Sequence, residues 1–168
     1  MIVNNPPAVE EGWHGSTSKV KILPRDWVIN DDSLRDPTIQ FIDTAQAGGF
    51  PVGVKVSHAF LEIYATMPIP QGYQATGLQI RGTPAGASSR DIWAWEGCAY
   101  GCNAIPLFDT SNTYSCNTEY DFDGSANTGP FGGADEMVSG PYNYVMICVY
   151  TTATTDVVYG GYVKIEKV

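Results

Sequence analysis

The 168-residue chain is poor in charge, in histidine and in long apolar runs. Only 16% of its residues are charged and the formal net charge is −9, so it would repel a phosphate backbone and nucleic-acid binding is not expected. No run approaches the roughly 18 apolar residues that a spanning helix needs, so no membrane partner is expected. The opening residues lack a basic segment followed by an apolar one, so they are not expected to be a secretory signal.

The scarcity of histidine also argues against an enzyme. The two histidines are His14 and His58, and no G-x-S-x-G motif is present. Nucleophilic catalysis needs a base held beside the nucleophile, and His14 lies in an arm without periodicity. The carboxylates are scattered through loops, where sequence alone brings no pair together. We therefore expect no catalytic residues.

Metal and cofactor signals are weak. Asp121-Phe-Asp123-Gly124-Ser125 begins like a calcium loop, but Ala126 stands where the EF-hand glycine belongs, so the segment is more typical of an Asp-Gly turn. Among the four cysteines, Cys98, Cys102 and Cys116 lie in a loop-like stretch whose spacing does not fit zinc. A disulfide among these three is one interpretation and free thiols are the other. Cys148 lies in a predicted strand, as a small apolar residue.

What the sequence does have is typical of an all-β protein: 18 Gly, 11 Pro, 10 Tyr and many β-branched residues. Apolar and polar residues alternate in AFLEIYATM (59–67), and NYVMICVYT (143–151) is apolar on both faces. No helical period persists. The pattern predicts a two-sheet antiparallel β-sandwich, with a jelly roll as one candidate topology.

Regular alternation begins near His58. We therefore predict a sandwich over residues 58–168 and, over residues 1–57, an extended arm and irregular excursion with one strand near Lys19–Ile29. A bulge or kink is predicted at Gly160–Gly161. The predicted core comprises Leu61, Ile63, Leu78, Ile80, Ile92, Val145, Ile147, Val149, Val163 and Ile165.

Aromatic residues supply the candidate binding sites. Trp93 and Trp95 share one strand face, either as a stacking platform for a glycan or as core or subunit-interface residues. The arm carries apolar, aromatic and histidine side chains that a partner could bury, namely Ile2, Val3, Trp13, His14 and Trp27. Alternatively, Val20, Ile22 and Trp27 add an edge strand to the sandwich, and both interpretations can hold together.

Three segments carry a family resemblance: HGSTSKVKILPRDWVINDD (14–32), MPIPQGYQATGLQIRG (67–82) and VYGGYVKIEKV (158–168). In residues, order and spacing they resemble small β-rich virion structural proteins of marine tailed phages, cyanophages especially. That family offers no catalytic residues to carry over. The Cys-containing stretch 98–140 and the N-terminal extension depart from the usual pattern.

The resemblance implies a non-enzymatic virion structural protein, assembled in the host cytoplasm and then extracellular, and our interpretation of its role is capsid decoration. The expected partners are the major capsid protein or other virion proteins. Because many weak contacts repeated by symmetry bind strongly, we also expect a homo-oligomer, a trimer before a dimer. The alternative is a tail-associated, receptor- or glycan-binding sandwich that uses Trp93 and Trp95.

Overall fold

The computed structural model describes residues 15–16, 18–30, 37–43, 51–83, 92–98, 105–107, 115–122, 137–138 and 143–168. Within these ranges the regular structure consists of strands and one 3-10 turn at Pro24–Asp26. The strands are β1 (Gly15–Ser16), β2 (Lys19–Ile22), β3 (Val28–Ile29), β4 (Ile39–Asp43), β5 (Pro51–Val56), β6 (Leu61–Pro68), β7 (Tyr73–Gly82), β8 (Ile92–Cys98), β9 (Ile105–Pro106), β10 (Glu119–Asp121), β11 (Met137–Val138), β12 (Asn143–Thr151) and β13 (Val158–Lys167).

The strands form two antiparallel sheets, which confirms the predicted all-β, two-sheet sandwich. Sheet B has the order β3-β6-β12-β8-β9, with β12 at its centre. Val145, Ile147 and Val149 of β12 are buried on the inner face. Ile147 lies directly between Ala65 of β6 and Ala94 of β8. Its large side chain therefore has a small side chain on either side of it on the inner face.

Sheet A is built around the long strand β13. Strand β7 pairs along one side of β13, and β2 and β5 pair with successive parts of the other side. Beyond these, β1 pairs with β2, β4 with β5, and both β10 and β11 with β7. Apolar residues of both sheets meet in one core, and all ten predicted core residues are buried there.

The predicted boundary near His58 does not match the sheets. Strand β2 pairs with Gly161–Lys164 of β13, β3 pairs with β6, and β5 contributes the fully buried Val54 and Val56. The sandwich therefore includes much of the chain before residue 58. Proline and glycine keep these strands short, so they lack the long alternation of the later ones, and their partners lie far away in the sequence.

The glycine pair in β13 confirms the predicted bulge. The pairing of β13 with β7 shifts register between Val158 and Gly160, and Gly160 has a φ of +120°. A Cβ atom on Gly160 would clash with the carbonyl oxygen of Ile22 in β2. Glycine is therefore required here, because β2 approaches β13 too closely for any side chain.

Candidate functional site

The outer face of sheet B carries a cluster of aromatic and apolar side chains, with Glu62 and Thr66 of β6 beside it. Pairing places Cys148 of β12 between Tyr64 of β6 and Trp93 of β8, and it places Met146 opposite Trp95. These five residues and Tyr150, which alternates with them along β12, form what we call the aromatic face. The inner face of the same strands is core, so both faces of sheet B are rich in apolar side chains.

The rings on this face form a row. The Trp93 and Trp95 centroids lie 6.3 Å apart, Tyr150 lies 6.3 Å from Trp93, and Phe60 extends the row 6.4 Å from Tyr150. These separations fall within the range of favourable aromatic pairs. The row crosses from β8 to β12 and ends at the residue that precedes β6.

Phe60, at the end of the row, combines exposure with backbone strain. Its side chain is 65% exposed, and its φ of +65° lies in the left-handed region that bulky residues rarely adopt. Its backbone N–H donates to the carbonyl oxygen of Thr151 at 2.8 Å, which holds this conformation. Residues with strained backbone conformations are concentrated at functional sites, which makes Phe60 a candidate binding residue.

A polar group borders the aromatic face. The Glu62 carboxylate accepts hydrogen bonds from the Asn30 side-chain amide at 3.1 Å and from the Tyr64 hydroxyl at 2.8 Å. Burial raises the pKa of Tyr64, and the contacts with Glu62 and Cys148 raise it further. Tyr64 therefore stays neutral and acts as a hydrogen-bond donor at any ordinary pH.

The centre of the aromatic face is dry. Cys148 is fully buried although it points away from the core, so side chains of the outer face must cover it. At one end, the Tyr144 ring occupies the space where Gly97 would carry a Cβ atom, so this glycine lets the ring lie across β8. The face is therefore a packed layer of side chains and not a set of isolated exposed residues.

The outer face of sheet A has a different character. Lys164 lies 2.8 Å from Asp121 and 3.7 Å from Glu119, Tyr162 donates a hydrogen bond to Glu119, and Lys19 lies 3.8 Å above the Tyr162 ring. The hydrogen bond from Tyr162 is the main reason that the pKa of Glu119 is lowered, and Asp121 raises the pKa of Lys164. Such a charged, hydrogen-bonded surface suits contact with water.

The structure brings Trp93 and Trp95 together and separates Trp27 from the proposed binding set. Trp27 is only 4% exposed and belongs to the core, because β2 and β3 fold into the two sheets. Its side chain is therefore not available to a partner, and the edge-strand interpretation of this segment is the one that fits. Ile2, Val3, Trp13 and His14 lie outside the described residues.

The sequence reasoning missed the other members of the row, Phe60 and Tyr150, and the neighbours Met146 and Cys148. A signal was present, because NYVMICVYT is apolar on both faces. We expected such a strand to be central and buried, and it is central. The side chains that alternate outward from it, including Met146 and Tyr150, also form part of the aromatic face.

The structure describes the four cysteines and the calcium-like segment only in part. Cys148 is a buried strand residue, as predicted, and Cys116 is half-buried beside Gly82. The Cys98 side chain and Cys102 lie outside the described residues, so the disulfide stays a prediction. Asp121, from the calcium-like segment, pairs with Lys164, and Asp123 also lies outside the described residues.

In the described part of the chain, no group of three or more His, Cys, Asp or Glu side chains is placed to hold a metal ion. The same residues include no helix with the length and apolar character needed to cross a membrane.

No protein-family model matches this chain, and no curated protein sequence is similar to it.

Proposed function

We propose that this chain is a non-enzymatic virion structural protein of the capsid decoration type, which attaches through the aromatic face of sheet B. The observation that carries the proposal is the contrast between the two outer faces. Sheet A presents paired charges, whereas sheet B presents Trp93, Trp95 and Met146 around a buried Cys148. A sheet that is apolar on both sides gains most when a second protein covers the outer side.

The composition of the face suits a protein partner. Trp and Tyr dominate the binding energy of protein interfaces, and methionine adapts its shape to the opposing surface. The charged residue at the border, Glu62, already accepts hydrogen bonds from Asn30 and Tyr64. A partner that covers it therefore does not leave its carboxylate without a hydrogen bond. The partner that the sequence resemblance suggests is the major capsid protein.

Attachment to a capsid would gain strength from repetition. Copies that sit at symmetry-related sites and also contact one another bind with an avidity above that of any single contact. A homo-oligomer therefore forms part of the proposal.

The first experiment locates the protein in purified particles. Cryo-electron microscopy of the virion should show sandwich-shaped density on the outer capsid surface, with sheet B facing the coat, and quantitative mass spectrometry should give a copy number in step with that of the coat protein. A few copies confined to the tail would contradict a decoration role.

The second experiment tests the aromatic face. Trp93→Ala breaks the row at its centre, whereas Tyr159→Ala removes a 43% exposed aromatic ring from sheet A and serves as the matched control. Removing an interface hot spot costs about 2 kcal/mol or more, so Trp93→Ala should weaken binding to particles that lack the protein by about 30-fold. Circular dichroism checks that both variants stay folded, and equal binding by the two would contradict the proposal.

The third experiment tests the arm. Deletion of residues 1–17 removes Ile2, Val3, Trp13 and His14 together with the two-residue strand β1, but it spares β2. We expect the shortened chain to remain folded and to bind particles more weakly, because the apolar arm residues would contact the coat. Unchanged binding would leave the aromatic face as the sole anchor.

A glycan-binding tail module is the second candidate, and the row of rings beside Glu62 and Asn30 favours it. Stacking rings next to a carboxylate and an amide can recognise both the apolar and the hydroxyl-bearing faces of a sugar. Titration with host surface oligosaccharides should then change the intrinsic tryptophan fluorescence, and Trp93→Ala should abolish that change. An unchanged signal at saturating sugar counts against this candidate.

A further inference from the structure

The terminal strands of the two sheets are short, with one exception. Strands β1, β3, β9 and β11 have two residues each and β10 has three, whereas β4 has five. Strand β4 pairs with β5 on one side, and no strand in the described part of the chain pairs with its other side. Short terminal strands protect a protein against pairing with other chains, and β4 lacks that protection.

The first four residues of β4 do not discourage pairing either. Its sequence is Ile-Gln-Phe-Ile-Asp, with no lysine and no proline, and its one charged residue, Asp43, stands at the end of the strand, where the register with β5 shifts. Aromatic and β-branched residues are those that strand pairing favours.

Phe41 lies at the centre of this strand and is 57% exposed. It stands directly opposite Val54 of β5, and Ile39 stands opposite Val56. Both valines are fully buried, so Phe41 lies on the core side of sheet A. Its exposure shows that the core side of sheet A is incompletely covered at β4.

We propose that β4 forms an interface with a second copy of this chain, in which the two β4 strands pair antiparallel about a two-fold axis. The lengths of the terminal strands support this choice. Among the described terminal strands, only β4 itself is long enough to pair with β4 over all five residues, and a strand that pairs with its own copy gives a closed two-fold contact.

The symmetric register centres on Phe41. Each Phe41 then stands opposite its counterpart, Gln40 stands opposite Ile42, and Asp43 stands opposite Ile39. The two rings bury the exposed apolar area and meet as a cross-strand aromatic pair. The two Asp43 residues occupy opposite ends of the ladder, so this register pairs no two charged residues. Sheet A then continues from one copy into the next.

The experiment measures self-association by sedimentation in dilute buffer, without particles, so its result does not depend on the virion role. Phe41→Lys makes two ammonium groups face each other at the two-fold axis. Val28→Lys is the matched control, because Val28 is 58% exposed on a terminal strand of the other sheet. We expect a wild-type dimer, an unchanged dimer with Val28→Lys, and a dissociation constant raised at least about tenfold with Phe41→Lys.

Hydrogen exchange on the wild-type protein keeps the test decisive even where a variant folds poorly. The backbone N–H groups on the outer side of β4 should exchange faster as the protein is diluted through the dissociation constant, while those of the central strand β12 should not change. A monomeric wild-type protein, equal association of the two variants, or exchange in β4 that is independent of concentration would overturn the proposal.

Discussion

Replacement of Ile147 by alanine should be among the most damaging single changes to this fold. Ile147 is fully buried at the centre of sheet B, and its neighbours on both sides, Ala65 and Ala94, are too small to move into the space it leaves. The substitution removes three carbon atoms, and at about 0.8 kcal/mol per buried methylene the transfer loss alone is about 2.4 kcal/mol. The unfilled cavity adds to this loss, so we expect a total of about 4 kcal/mol, in the upper half of the range of 2–5 kcal/mol for such changes.

Urea denaturation followed by circular dichroism measures this cost as a shift of the midpoint at constant slope. Ile147→Val keeps most of the volume and should cost about 1 kcal/mol, and Val28→Ala, at an exposed position, should cost less than about 0.5 kcal/mol. A loss for Ile147→Ala no larger than that for Val28→Ala would show that Ile147 does not face the core, and the assignment of the two faces of sheet B would then be wrong.

Two further predictions concern the backbone and the pH dependence. Gly160→Ala should lower the free energy of unfolding by at least about 3 kcal/mol, because it adds a clash with the Ile22 carbonyl to the strain of a positive φ. Gly72 also has a positive φ but has open space around it, so Gly72→Ala should lower that free energy by only about 1 kcal/mol. Thermal unfolding compares the two variants, and equal losses would contradict the close approach of β2 to β13. Burial raises the pKa of Glu96, so the folded state holds this proton more tightly than the unfolded state and stability falls as the pH rises from the ordinary value of 4.5 through the raised one. Glu96→Gln should therefore gain in melting temperature relative to wild type between pH 4 and pH 7, and parallel curves would refute this.

The later strands could be predicted from the sequence because their burial alternates locally. Leu61, Ile63, Ala65 and Met67 all point inward from β6, and the same period identifies the inner residues of β12. This alternation of apolar and polar residues is visible within a single strand, because successive side chains of a strand point to opposite faces of the sheet.

The earlier strands could be identified only in part: a strand near Lys19–Ile29 was predicted, but its pairing with β13 was not. Strand β2 is four residues long and pairs with β13 at the other end of the chain, and the close approach that makes this possible depends on Gly160. The sequence of residues 19–22 alone does not indicate that this strand pairs with a segment containing Gly160. Trp27 was therefore predicted both as a partner-binding residue of the arm and as part of an edge strand, and its burial decides between the two.

The candidate site could likewise be predicted only where its residues are close together in the sequence. Trp93 and Trp95 could be paired from their spacing of two residues, because such residues share a face of a strand. Tyr150 lies beside them because of the register between β8 and β12, and Phe60 because of its left-handed backbone conformation. Neither feature could be predicted from the sequence. Sequence therefore identified the aromatic pair but not the extent of the surface to which it belongs.

The two proposed contacts lie on different parts of the sandwich, and this separation bears on how a coat could form. The aromatic face belongs to sheet B, and strand β4 lies at the edge of sheet A, so one copy can use both at once. A protein that covers a symmetric surface needs one contact with that surface and another with its neighbours, since each then raises the local concentration for the other. A dimer that forms through β4 in solution carries two aromatic faces, and two linked contacts with a particle hold it more tightly than either contact alone.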